Sequence, residues 1–171
     1  MTDHAHVPPA LLLPLEIRDT GSYLNRDGEK EYNLEFVGEL NLKTHVYELQ
    51  KISVVRIGDA PLNGTTLRGV KVQDALGDVM RNADIRHEDD RPYEWPYDKA
   101  IAGGAEVYTP TRELPKADLQ LRVEEAARLY AIAHAFGLPE LREIQRAMAL
   151  SQSTAGRLVK LAKSQGLIGV D

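Results

Sequence analysis

The chain has 171 residues and a mass of 19.0 kDa, enough for one domain or two small ones, and 43% hydrophobic with 27% charged residues is ordinary for a globular protein with a core. It has no cysteine, which excludes disulfides, thiolate metal sites and cysteine nucleophiles and suits a reducing cytoplasm. The net charge of −5 argues against nucleic acid as a partner of the chain as a whole.

At the N-terminus, Met1 to Pro9 carry no basic region, and the apolar run Leu11-Leu12-Leu13 is stopped by Pro14, far short of a secretory or membrane-spanning segment. The expectation is an untargeted cytoplasmic protein with no membrane partner and a flexible tail over residues 1–10. Asn63-Gly64-Thr65 matches a glycosylation acceptor but reads as a turn without a secretory route. Beyond the tail, Leu13, Leu15 and Ile17 alternate with other residues, as do Tyr32, Leu34 and Phe36, and Val46 to Ile57 is rich in β-branched side chains. Turn residues fall between these runs at Asp19-Thr20-Gly21-Ser22, at Asn25-Arg26-Asp27-Gly28 and at Asp59 to Gly64. Together they predict hairpins joining antiparallel strands. Leu67, Val70 and Val72 read as one more short strand, and the spacing of Ala75, Leu76, Val79 and Met80 predicts a helix.

Apolar periodicity is lost between Asp84 and Lys116, which predicts a linker over residues 84–116. Trp95, Tyr93, Tyr97 and Tyr108 make that connection partly ordered, because such rings pack back onto a neighbouring domain. From Leu119 to Phe136 the steps among Val123, Ala126, Leu129, Tyr130, Ile132 and Ala133 predict a helix, with Glu124 and Arg128 as an i,i+4 pair and Gly137 as its end. Pro139 suits the first turn of a second helix buried along Leu141, Ile144 and Met148, and Ala149-Leu150 form the next turn.

Charge divides unevenly along the chain. Residues 1–115 hold 13 Lys+Arg against 20 Asp+Glu, whereas residues 116–171 hold 8 against 6. Ser151 suits the N-cap of a last helix whose buried face is Ala155, Leu158, Val159 and Ala162. Its other face presents Gln152, Ser153, Gly156, Arg157, Lys160 and Lys163, and no acid lies between Ser151 and Ile168. Such a surface of donors and cations fits the major groove of double-stranded DNA. The DNA-binding set is therefore Ser151, Gln152, Ser153, Thr154, Gly156, Arg157, Lys160 and Lys163. In it Gln152, Ser153 and Arg157 touch bases, while Thr154, Lys160 and Lys163 hold phosphates. Gly156 allows two readings, close approach to DNA or a tolerated helix glycine.

The run from Arg142 to Ile168 resembles the helix-turn-helix of bacterial transcription regulators of the catabolite-activator and related winged-helix groups. Ile144, Ala149, Ser151, Thr154, Arg157 and Gly166-Leu167-Ile168 fill the positions those families use, and Gln145 stands where they place a small residue. With three residues after Ile168, the expectation is a head without a C-terminal wing. The layout as a whole, including Leu67-Arg68-Gly69-Val70, resembles small proteins of actinobacteria and their phages.

The expected fold class is α+β: a β-rich N-terminal domain at residues 11–83, an antiparallel sheet plus one helix, then a three-helix helix-turn-helix domain at residues 117–171. The expected function is sequence-specific DNA binding, most simply transcriptional regulation, by a homodimer whose front domain supplies the dimer contact. The competing reading is an adaptor or accessory protein of phage or mobile-element assembly, packaging or replication. No catalytic residue, cofactor or metal is expected, and an enzyme is not. His87-Glu88-Asp89-Asp90 reads as a solvated acidic loop in preference to a divalent-metal site. His4 and His6 fall in the tail, and His45 and His134 stand alone.

Overall fold

The computed structural model describes residues 3–24, 30–57, 62–64, 67, 72–96 and 116–169. In chain order they form β1 (His4–Val7), β2 (Leu11–Pro14), β3 (Glu16–Leu24), β4 (Lys30–Asn41), β5 (Val46–Arg56), α1 (Val72–Asn82), β6 (Arg86–His87), α2 (Lys116–Ala135), α3 (Glu140–Ala147) and α4 (Gln152–Ser164). The fold class is α+β, with two three-stranded sheets, one in the order β1-β2-β6 and the other in the order β3-β4-β5. Two compact units divide the chain, residues 1–5 with 14–84 and residues 6–13 with 85–171.

In the first unit β4 runs antiparallel to both neighbours, so that Gly38 pairs with Ile17 and Phe36 with Ile52. Alternation along the strands selects the face. Ile17, Tyr32, Leu34, Phe36, Leu40 and Tyr47 are buried, and Glu35, Glu39 and Glu48 are exposed. Each fully buried large apolar side chain contributes about 1.5–3 kcal/mol of transfer free energy. The Tyr47 hydroxyl donates to the Pro14 carbonyl oxygen at 2.7 Å, and burial pushes its pKa well above the ordinary phenol range. α1 packs against β3 through the positions that the spacing of Ala75, Leu76, Val79 and Met80 predicts, and all four are buried.

Several expectations are corrected. The alternation of Leu13, Leu15 and Ile17 is not one strand, because β2 ends at Pro14 in one sheet and β3 begins at Glu16 in the other. Proline carries no N–H to continue a ladder. Leu67 and Val72 lie in helical backbone, not in a closing strand, and Val70 lies outside the described residues. The expected tail is partly structured too. His4–Val7 form β1, Val7 is buried, and the His4 ring nitrogen Nε2 is 2.8 Å from the Asp84 carbonyl oxygen.

The described part of the expected linker belongs to the second unit. β6 pairs antiparallel with β2, setting Leu11 opposite His87 and Leu12 opposite Arg86. Tyr93 and Trp95 are buried with their rings edge to face at 5.2 Å between centroids, and the Tyr93 hydroxyl donates to Glu125 on α2. Tyr97 and Tyr108 fall outside the described residues. Glu88, Asp89 and Asp90 are exposed and pair with His6, Arg91 and Arg86 respectively. Among the described residues no group of three His, Asp or Glu side chains is placed to hold a metal ion, and no helix is long and apolar enough to cross a membrane.

Candidate nucleic-acid interface

Three helices of the second unit carry the candidate site, and each meets both of the others. α2 begins three residues before the predicted start, at Lys116, and Gly137 at φ 63° takes the left-handed backbone that follows its end. Its buried side is Val123, Ala126, Ala127, Leu129, Ile132 and Ala133. Arg128 reaches the predicted Glu124 at 3.8 Å and the nearer Glu125 at 3.3 Å. Pro139 precedes α3 as its N-cap, and Ile144 and Ala147 are buried beneath it.

The turn into α4 is tight. Ala149 adopts φ 52°, and the Leu150 N–H donates to the Gln145 carbonyl oxygen at 3.0 Å. Ser151 has extended backbone, and its Oγ accepts the Thr154 N–H at 3.3 Å, which satisfies one orphan donor of the first turn. The hydroxyls of Ser153 and Thr154 lie 3.0 and 2.9 Å from the same oxygen. Ser151 thus shapes the helix start.

One side of α4 is locked against the protein. Ala155, Leu158 and Ala162 have no exposed surface, and Gln165 exchanges hydrogen bonds with Gln120 of α2 at 3.2 and 3.0 Å. Burial of those three positions dictates what faces water on the far side. Ser153, Arg157, Lys160 and Ser164 follow one another at four-, three- and four-residue steps, one above the next, and all four are exposed. Gln152 is exposed at the first position, and Thr154 and Gly156 are half-buried.

Lys163 departs from that row. It is half-buried on the flank of α4, and its Nζ stands 5.7 Å from the centroid of the Tyr130 ring on α2, a cation–π contact. Tyr130 in turn stacks on His134 at 6.3 Å, and His134 Nδ1 is 3.2 Å from Glu140. Arg142 and Arg146, which sequence reasoning passed over, are both exposed on α3. Their signal was present as an i,i+4 arginine pair standing off the buried stripe of that helix.

The arrangement offers two outward cations on a helix without a carboxylate, and two further cations on the helix packed beside it. Comparison of the chain with protein-family models, with curated proteins and with solved structures finds no match.

Proposed function

We propose that α2, α3 and α4 form a helix-turn-helix head that binds double-stranded DNA in a sequence-specific manner, and that the protein is a transcriptional regulator. The observation that carries this reading is the outward row Ser153, Arg157 and Lys160 on an acid-free helix whose opposite side is held by α2 and α3. In it α4 lies in the major groove. Arg157 donates to base edges, with guanine offering the best match to a guanidinium fork, while Lys160 pairs with backbone phosphate. Arg142 and Arg146 add phosphate contacts from α3, the helix that crosses the backbone in such heads. A single head of this kind buries too little surface for tight specific binding, so two copies reading two half-sites complete the reading.

The test is selection of bound duplexes from a random pool, followed by gel shifts across salt with Arg157→Ala and Lys160→Ala. The expected result is a motif with two half-sites. Arg157→Ala should relax preference at one position of each, whereas Lys160→Ala should weaken all DNA alike and reduce the salt slope by about 0.9. Unchanged binding in both variants sinks groove docking. Sedimentation equilibrium decides the dimer: a monomer that binds an asymmetric site refutes it, and a large closed oligomer favours an assembly role instead.

A further inference from the structure

The second unit holds a cavity of about 780 Å³ bounded by residues of α2, by the segment from His87 to Pro96 and by Met148 at the end of α3. That volume is in the range of small-molecule sites, roughly 300–1,000 Å³. Its polar wall has an excess of cations, Arg91, Arg122 and Arg128 against Glu94 and Glu125. The arginines are not equally engaged. Arg128 is taken up by Glu125 at 3.3 Å, and Arg91 by Asp89 at 2.7 Å. Arg122, by contrast, has no carboxylate in ion-pair range among the described residues. His87 faces the same space and is held below the ordinary imidazole range, by burial first and then by the charges of Arg128 and Arg91, so it stays neutral at neutral pH.

The rest of the wall is apolar. Leu121 leaves 63% of its surface exposed, and Pro92, Pro96 and Met148 join it. One uncommitted guanidinium beside an uncovered apolar wall is complementary to a single negative charge on an apolar body. A phosphate dianion would bring two charges to one available partner. We propose that this cavity binds a small organic monocarboxylate, its carboxylate paired with Arg122 in a bidentate fork and its apolar part laid against Leu121 and Met148.

The experiment uses the full chain without DNA, so its outcome is independent of the DNA-binding reading. Sodium benzoate and its neutral isostere benzamide are titrated by calorimetry into the wild type and into Arg122→Gln. The wild type should bind benzoate saturably at about 1 mM or tighter and benzamide about tenfold more weakly, since only the anion gains the charged hydrogen bonds. Arg122→Gln, checked for an unchanged circular dichroism spectrum, should lose about tenfold in benzoate affinity and leave benzamide unaffected. Equal binding of benzoate and benzamide by the wild type overturns the proposal, and so does the absence of saturable benzoate binding. Undiminished benzoate affinity in the folded variant overturns the role of Arg122.

Discussion

Gly156→Ala separates what the fold requires of α4 from what a partner requires. Gly156 lies inside the helix, three residues after Ser153 and four before Lys160, and a Cβ built on it meets no atom within 4 Å. No neighbouring side chain demands the glycine. Glycine inside a helix costs about 0.8–1.0 kcal/mol relative to alanine, so the substitution should stabilise this unit by about that amount. In a unit of this size the gain corresponds to a rise in Tm of about 4–8 °C. Trp95, the single tryptophan, is buried in the same unit, and its fluorescence during urea unfolding reports that unit's stability. The same methyl group stands beside the row proposed to enter the groove. If the DNA surface lies against Gly156, an inserted methyl costs about 1–3 kcal/mol of overpacking, or about five- to 150-fold in affinity. The expected variant is therefore more stable and binds DNA less well. Greater stability with undiminished binding refutes close approach and leaves the glycine as merely tolerated. Lower stability refutes the open space described around it.

Leu158 is fully buried beneath α4, and Leu158→Ala should cost about 2–5 kcal/mol in urea unfolding followed by Trp95 fluorescence, a loss under about 1 kcal/mol contradicting its place in the core. His87 should make the second unit sensitive to acid. Burial and the charges of Arg128 and Arg91 lower its pKa in the folded protein, with Glu125 and Asp89 opposing in part. The unfolded chain then takes up a proton that the folded chain refuses. Stability contributed by His87 is present above the unfolded pKa of about 6.5 and is lost as pH falls from there through the folded value. His87→Gln should lose less stability than the wild type between about pH 7 and pH 5, and identical acid sensitivity of the two proteins would refute the assignment.

What could be read in the sequence was the part governed by local period. Ala75, Leu76, Val79 and Met80 repeat often enough to announce α1, and the apolar steps of α2 and α4, with Gly137 and Ser151 at their ends, announce those helices. What escaped was set by partners far away in the chain. β1 has only four residues, too few for a pattern, and the sheet it joins is completed by β6, about eighty positions later. Leu13 and Ile17 show the same alternation whether they share a strand or, as here, enter different sheets; Pro14 was the mark of the break. Tyr93 and Trp95 could be read as rings that pack back onto a domain, but not onto which element, because the carboxylate that receives the Tyr93 hydroxyl is 32 residues away on α2.

The candidate site divides along the same line. Once Ala155, Leu158 and Ala162 are assigned to the buried side, the helical period alone sends Arg157 and Lys160 outward, so their placement needed no knowledge of any other element. Lys163 belongs to the flank, where the period does not decide between protein and solvent, and there the choice rests with the neighbouring helix. Tyr130 of α2 presents its ring to Lys163 Nζ, and a cation–π contact at a partly exposed site is worth roughly 0.5–1 kcal/mol, comparable to one surface ion pair. Lys163 is therefore poised between the ring and any phosphate that approaches. Recruiting it to DNA would forfeit the Tyr130 contact, whereas among the described residues no aromatic ring holds Arg157 or Lys160 in the same way. On this geometry the two outward cations dominate the electrostatics of α4.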